Sequence, residues 1–204
     1  MDDLAKLARY FAQFPGIGER QAKRFVYFLL SADPNYVGDL AGAINSIKKS
    51  VVRCKKCFRF FKKNDADTCS ICSNTSRDKS LLMVVEKDTD IDSVEKSSVY
   101  KGLYFVLGGL VSVVEKDTPL RVRTNELVRR AEEDAKAGNL KEIILAFSLN
   151  PNGDHTDMHV RERLTKIAEE KNIKISSLGR GLSTGTELEY SDQDTLKNAL
   201  KNRQ

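Results

Sequence analysis

Four cysteines within residues 54–72 constrain the fold of this chain more than any other feature. They form two Cys-x-x-Cys pairs separated by eleven residues, and they are all the cysteines of the 204-residue chain: Cys54, Cys57, Cys69 and Cys72. Each pair can place two sulfurs on one turn, and two turns complete a tetrahedral thiolate site without a position for a catalytic water. The pattern predicts one structural zinc per chain, whose binding contributes to folding. The alternatives are iron and two disulfides, and a cytoplasmic setting disfavours the disulfides.

The start of the chain and its apolar runs indicate a cytoplasmic protein. The first four residues carry no basic stretch leading into an apolar one, as a signal peptide would. The longest apolar runs, 81–85 and 103–107, have the length of strands and are far too short to span a membrane. We therefore expect a cytoplasmic protein with no membrane partner.

Positive charge is concentrated in the first part of the chain. Residues 1–79 hold 15 basic and 8 acidic side chains (+7), whereas residues 80–204 hold 19 and 21 (−2). The densest stretch has no acid between residues 48 and 63, and its cations are Lys48, Lys49, Arg53, Lys55, Lys56, Arg59, Lys62 and Lys63. A four-thiolate zinc site uses part of this charge, since it carries −2 itself. The remainder predicts a nucleic-acid surface that includes Lys55 and Lys56, with an ordinary solvated surface as the alternative.

Three phenylalanines, Phe58, Phe60 and Phe61, interleave with these cations. Aromatic rings between positive charges can stack on the bases of a single strand. Packing beneath the small metal site is the favoured interpretation for all three.

A glycine turn between two amphipathic helices precedes the cysteines. Apolar residues at helical spacing flank Pro15-Gly16-Ile17-Gly18, and a third helix follows over 36–47. Gly16 and Gly18 lack a Cβ and can take positive φ, so a phosphate can approach the backbone N–H groups at the start of the next helix. Arg20 and Arg24 lie four residues apart on one face of that helix, with Lys23 beside them. The pattern predicts a helix-hairpin-helix that holds the DNA backbone without reading sequence; the alternative is an ordinary turn between core helices.

After residue 80 the pattern becomes that of an α/β domain. Buried parallel strands are predicted over 81–85, 103–107, 143–147 and 173–177. Helices are predicted over 89–97, 124–136, 155–171 and 192–202, with Thr124 as an N-cap. The glycine-rich residues 179–185 lack the lysine of a phosphate-binding loop, so nucleotide hydrolysis is not predicted.

Two acidic residues follow predicted strands. Glu86 comes directly after the first strand and Asp154 lies shortly after the third, at the strand ends where α/β folds place their chemistry. Asn150 and Asn152 would add only neutral oxygens to such a site. The set holds too little negative charge for a two-metal catalytic centre.

In this order the motifs resemble the RecR family of bacterial recombination mediators. The resemblance rests on the hairpin at 15–18, the four cysteines, Leu82-Met83-Val84-Val85-Glu86, Tyr104-Phe105-Val106-Leu107-Gly108-Gly109 and Gly185-Thr186-Glu187-Leu188-Glu189-Tyr190. It implies an α/β protein with small modules. These are a helix-hairpin-helix region (1–53), a four-cysteine zinc finger (54–79), a Toprim-like parallel α/β domain (80–178), and a C-terminal strand and helix. In this division the segment 179–204 completes the fold and makes oligomer contacts.

The resemblance also implies a function. Members of the family are non-catalytic mediators of recombinational DNA repair that join RecO and RecF in loading RecA onto single-stranded DNA at gaps. The implied assembly is a ring tetramer that takes single- or double-stranded DNA and associates with the bacterial nucleoid. Arg20 and Arg24 lie where the family carries its DNA-contacting basic residues.

This sequence departs from the family at one place. Asn152-Gly153-Asp154 stands where the family usually has Glu-Gly-Glu or Glu-Gly-Asp, and the Asp-x-Asp of Toprim enzymes is absent. The resemblance therefore implies no catalysis, and it leaves open whether Glu86 and Asp154 bind a partner or a weakly held magnesium ion. The alternative is a Toprim-type, metal-dependent DNA-cleaving enzyme. A zinc-ribbon transcription accessory protein would explain the cysteines but not the α/β half.

Overall fold

The computed structural model describes residues 2–113, 122–179, 181–182, 185 and 187–201. The chain divides into two compact units, Met1–Val52 and Arg53–Gln204. None of the helices in the described ranges has the length and apolar character that crossing a bilayer requires. Within the glycine-rich segment 179–185, Arg180, Ser183 and Thr184 lie outside the described residues, so the prediction of no phosphate-binding loop stays a prediction.

The first unit contains three helices: α1 (Asp3–Ala12), α2 (Glu19–Ser31) and α3 (Pro34–Ser50). Aspartates begin two of them, since the Asp2 side chain accepts from the backbone N–H of Leu4 and the Asp33 side chain from that of Asn35. α1 packs on α2, and the rings of Phe11 and Phe25 meet edge to face at 5.6 Å. Many apolar side chains of this unit stay on its surface.

The second unit begins at Arg53, the last residue of β1 (Val51–Arg53), with a small module, and it continues as an α/β domain. β2 (Phe60–Lys62), which pairs with β1, and α4 (Ser70–Ser73) belong to the small module. The α/β part holds β3 (Asp78–Val85), α5 (Asp88–Ser97), β4 (Gly102–Val106), α6 (Thr124–Lys136), β5 (Glu142–Ala146), α7 (Pro151–Lys171) and β6 (Lys174–Ser177). A short 3-10 helix (Leu188–Tyr190) and α8 (Gln193–Lys201) end the described chain.

The four long strands form one parallel sheet in the order β4-β3-β5-β6. The predicted parallel α/β fold is therefore confirmed. Because the chain leaves β3 toward β4 and later returns to its other side as β5, the carboxyl ends of β3 and β5 meet at a switch point, where such sheets hold ligands.

The side chains of β3 serve two different cores, since successive residues of a strand point to opposite faces. Leu82 and Val84 pack with buried residues of α6 and α7. Met83 and Val85 pack with Ile91 of α5 and with three cysteines of the cluster. The cysteine cluster is thus part of the core on one face of the sheet.

The predicted N-cap of α6 and the predicted start of α7 are wrong, although α6 itself begins at residue 124 as predicted. Arg123, not Thr124, occupies the N-cap position of α6, where its carbonyl accepts from the N–H of Leu127 at 3.0 Å. α7 begins at Pro151 and not at residue 155, because Asn150 caps the helix and its side chain accepts from the N–H of Gly153 at 2.8 Å. Asparagine followed by proline suggests a loop in the sequence, but the same pair suits an N-cap and first helical position.

Candidate metal centre and nucleic-acid interface

The four cysteine sulfurs converge on one point. They all lie within 4.8 Å of one another, and the sulfurs of Cys57 and Cys69 are 3.6 Å apart. Four thiolates around an ion at about 2.3 Å would be separated by about 3.8 Å, so the spacing fits a tetrahedral metal site. All four are free thiols, which excludes the disulfide alternative in this structure. The cluster can hold one metal ion.

Contacts between the sulfurs control which cysteines can ionise. The hydrogen bond with Cys57 lowers the pKa of the Cys54 thiol, and the bond with Cys54 raises the pKa of the Cys57 thiol. Burial acts against ionisation of both, because apolar surroundings disfavour a thiolate. A divalent cation removes this conflict, since it stabilises four thiolates at once.

The first Cys-x-x-Cys turn is shaped by its own backbone. The N–H of Phe58 donates to the carbonyl of Cys54 at 3.0 Å, and Phe58 takes a positive φ of 61°. The N–H of Cys69 donates to the sulfur of Cys54 at 3.3 Å, which joins the second pair to the first. Backbone N–H groups directed at a sulfur favour its thiolate form.

Two buried arginines attach this turn to the α/β domain, and the sequence patterns did not reveal them. Arg130 of α6 donates to the carbonyl of Lys56 at 2.8 Å and to the carboxylate of Asp134 at 2.7 Å. Arg123 donates to the carbonyl of Val106 at 3.1 Å, and its guanidinium lies 5.3 Å from the centre of the Phe58 ring. The only sequence signal is that Arg130 falls on the apolar side of the helix predicted over 124–136; Arg123 precedes that helix.

The edge strand β4 is covered by the same turn. The N–H of Val106 donates to the carbonyl of Cys57 at 2.8 Å, and the Phe58 ring meets Phe105 edge to face at 5.3 Å. This arrangement satisfies a backbone donor that an open sheet edge would leave unpaired. Metal site and sheet are therefore one structural body.

The three phenylalanines of this region do not share one environment. Phe58 and Phe61 are partly buried and pack against the sheet and the cysteine cluster, as the favoured interpretation predicts. Phe60 is 49% exposed, and packing beneath the metal site is wrong for this residue.

In the first unit, the hairpin presents one glycine in the predicted conformation. Gly16 has φ of +76°, and the turn closes through a 3.0 Å hydrogen bond from the N–H of Ile17 to the carbonyl of Phe14. Gly18 is the N-cap of α2 with an extended backbone (φ −83°), so positive φ is wrong for this residue. A Cβ at either glycine would meet nothing within 4 Å, which leaves room for a phosphate beside the turn.

The basic residues that the sequence predicts to bind DNA are exposed. Arg20, Lys23 and Arg24 project from the first two turns of α2, and Arg24 also donates to Gln21 at 3.3 Å. In the second unit, Lys55 and Lys56 are exposed, and Lys55 pairs with Asp67 at 2.5 Å. That ion pair reduces the charge that Lys55 offers to a phosphate.

The two acidic residues after the strands occupy different settings. Glu86 follows β3 and accepts a 2.9 Å hydrogen bond from the hydroxyl of Ser148, which follows β5. Asp154 lies exposed on the first turn of α7 and borders a cavity of about 550 Å³ with residues of α8. Asn152 accepts from the N–H of Val113 at 3.2 Å. Among the described residues, the cysteine cluster is the one group of three or more potential ligands close enough to hold a metal.

Family models match three parts of the chain. One described as RecR, helix-hairpin-helix, matches residues 4–48; one described as Toprim domain matches residues 80–179; and one described as RecR, C-terminal, matches residues 181–204. Together with the cysteine cluster, these modules define a class of proteins that join a helix-hairpin-helix to a Toprim domain through a four-cysteine module.

Similar proteins span nearly the whole chain. It is 38% identical to the recombination protein RecR of Bacteroides fragilis, covering 98% of this chain and 92% of that protein. It is 37% identical to that of Chlorobium limicola (97% and 94% covered) and 36% identical to that of Prochlorococcus marinus (98% and 94% covered). The chain belongs to the RecR family.

Proposed function

We propose that this protein is a DNA-binding recombination mediator in DNA repair, which works as a non-catalytic clamp and adaptor. One observation supports the proposal most strongly. The open Gly16 turn lies beside three exposed cations on α2, in a chain of the RecR family. Backbone N–H groups and cations in this arrangement can bind the phosphate backbone of DNA of any sequence.

Zinc is the proposed occupant of the cysteine cluster. Four thiolates in a tetrahedron suit zinc better than a hard cation, which prefers oxygen ligands. A bound zinc ion would supply no chemistry here beyond holding the turns together, since four protein ligands complete its coordination. The residues that would hold it are the four cysteines. Arg130 and Arg123 would connect the metal-bound turn to the sheet.

The proposed assembly is a homo-oligomeric ring, a tetramer by resemblance to the family. In the first unit, exposed apolar side chains include Tyr10, Phe14, Tyr27, Leu30, Ile44 and Ile47, each at least 54% accessible. Of its described residues only Ala22 and Val26 are fully buried. A unit of about 50 residues with so small a core is marginal alone, and pairing with a second copy would bury the exposed surface.

A non-catalytic role is supported by the setting of the acidic residues. The Glu86 carboxylate is hydrogen-bonded to Ser148, and the Asn152 side-chain oxygen is used by the N–H of Val113. A metal-dependent DNA-cleaving centre needs several anionic oxygens directed at the same ion. Incubation with labelled DNA and Mg²⁺ tests this: cleavage that disappears in Glu86→Gln would establish the enzyme instead.

The mediator role is tested by reconstitution on gapped DNA with RecO and RecF. The protein should increase the amount of labelled RecA bound at single-stranded gaps. RecA binding that is the same with and without the protein would contradict the proposal. If the protein neither cleaves DNA nor increases RecA binding at gaps, its role in DNA binding is a different one.

A further inference from the structure

Phe60 and Arg53 form a pair on the small module that the metal site does not use. The Arg53 guanidinium carbon lies 4.7 Å from the centre of the Phe60 ring, and the ring is 49% exposed. Since side chains alternate along a strand, Phe60 and Lys62 share one face of β2, while Phe61 lies on the other. Phe61 packs against the cysteine core, so the Phe60 face is the outer one.

The backbone of β2 is held in place at Phe60, whereas the Phe60 ring is exposed to solvent. The N–H of Phe60 donates to the carboxylate of Asp88 at 2.7 Å, and the neighbouring Arg59 pairs with Asp92 at 3.0 Å. Both acids lie on α5, which belongs to the sheet core. The backbone beneath the ring is thus held from two points, and stacking on the ring requires little further ordering.

The charge around the ring suits a polyanion. Arg53 and Lys62 are both exposed, and within the described ranges no carboxylate forms an ion pair with either of them. An arginine over an aromatic ring adds a cation to a stacking surface. Lys62 lies two residues from Phe60 on the same strand face, which separates their backbone positions by about 6.6 Å. An unpaired base on the ring would therefore have cations near its own phosphates.

We propose that Phe60, backed by Arg53, is a stacking platform for an unpaired base of a single strand. In a duplex the bases are already stacked on one another, so the platform selects single-stranded over double-stranded DNA. The proposal rests on the DNA binding proposed above and adds to it a surface in the second unit. The alternative role of the pair is to close the β1–β2 hairpin, with no part in binding.

The chain contains no tryptophan, which allows a direct spectroscopic test. Phe60→Trp places a single indole on the platform, and a stacked base should quench its fluorescence. Titration with a 20-nucleotide oligothymidine should quench the emission, whereas an abasic oligomer with the same number of phosphates should not. Equal quenching by both would overturn the proposal, because it would show charge or conformational effects without stacking.

Affinity supplies the second readout. Phe60→Leu keeps an apolar side chain without a π face, and it should bind oligothymidine about fivefold or more weakly than wild type. Its affinity for the abasic oligomer and for a duplex, its salt slope, its zinc content and its mass should match wild type. Unchanged oligothymidine affinity, or an equal loss on all three ligands, would overturn the platform. Failure of wild type to bind any of the three would instead reject the proposed DNA binding itself, and the platform with it.

Discussion

Arg130 on α6 donates a 2.8 Å hydrogen bond to the backbone carbonyl of Lys56, which lies between the first two cysteines of the cluster. These residues are 74 positions apart in the chain, and Arg130 is almost completely buried. The guanidinium of Arg130 holds its N–H donors in one plane at fixed angles. Lysine has no such planar set of donors and could not replace arginine in this buried contact. Through this contact, the position of the metal site depends on the α/β domain.

Arg130→Ala should therefore destabilise the protein and loosen its metal. The Lys56 carbonyl and the Asp134 carboxylate lose their shared donor, which costs about 1–3 kcal/mol. The expected results are a lower melting temperature and faster zinc transfer to a chromogenic chelator. Arg129→Ala is the matched control, since it removes the same charge from an exposed neighbouring position. Equal transfer rates in the two variants would show that Arg130 does not support the metal site.

The metal itself should be zinc, at about one ion per chain. Emission spectrometry of protein purified without added zinc measures it. Cys69→Ser removes a ligand that is also a core residue, so it should lower both the zinc content and the free energy of unfolding. Full stability of the metal-free protein would contradict a structural role.

A second network, formed by Arg77, Glu95 and Tyr104, should make stability depend on pH. Arg77 donates to both oxygens of Glu95, one at 2.9 Å, and Tyr104 donates to the same carboxylate at 2.7 Å. The Arg77 guanidinium holds the pKa of Glu95 below its usual value. A carboxylate with a lowered folded-state pKa stabilises the protein above its unfolded pKa and loses that contribution as the pH falls.

Glu95→Gln should accordingly remove part of the acid sensitivity. The free energy of unfolding of wild type should exceed that of the variant near pH 7, and the difference should shrink as the pH falls below about 5. Denaturant unfolding at several pH values measures this difference. Glu162→Gln, on the exposed face of α7, controls for the loss of one negative charge. A difference that stays constant from pH 7 to pH 3 would contradict the prediction.

The apolar surface of the first unit should hold copies together. Ile44 and Ile47 lie three residues apart on α3 and are 58% and 57% exposed. Ile44→Asp places a charge in this surface and should lower the mass measured by analytical ultracentrifugation. Asn45→Asp adds the same charge at the adjacent exposed position and should leave the mass unchanged. An unchanged mass in both variants would locate the oligomer contacts elsewhere.

Features that depend on residues close together in the chain can be predicted from the sequence. Contacts between residues far apart in the chain cannot. The cysteine spacing predicts the converging sulfurs, and the apolar runs predict four strands to within three residues, since both depend on neighbouring positions. The attachment of the metal turn by Arg130 depends on where α6 packs, which no local pattern contains. Packing beneath the metal site is wrong for Phe60 for the same reason, because Phe58, Phe60 and Phe61 look alike in the sequence until the strand face is known.

The most direct test of the account is the salt dependence of DNA binding. Arg20 and Arg24 lie exposed one turn apart on α2, beside the open Gly16 turn. Each phosphate that they neutralise adds roughly −0.9 to the slope of log affinity against log salt for duplex DNA. Binding should therefore be nearly independent of sequence and fall steeply with salt.

The measurement compares wild type with the double variant Arg20→Ala, Arg24→Ala on linear and circular DNA at several salt concentrations. The account predicts that the variant flattens the slope by up to about two units per engaged subunit and weakens all sequences alike. Its zinc content and mass should equal those of wild type, and wild type should dissociate more slowly from closed circles than from linear DNA. A double variant that binds with the wild-type slope would contradict the account, because the hairpin would then be only a turn between helices.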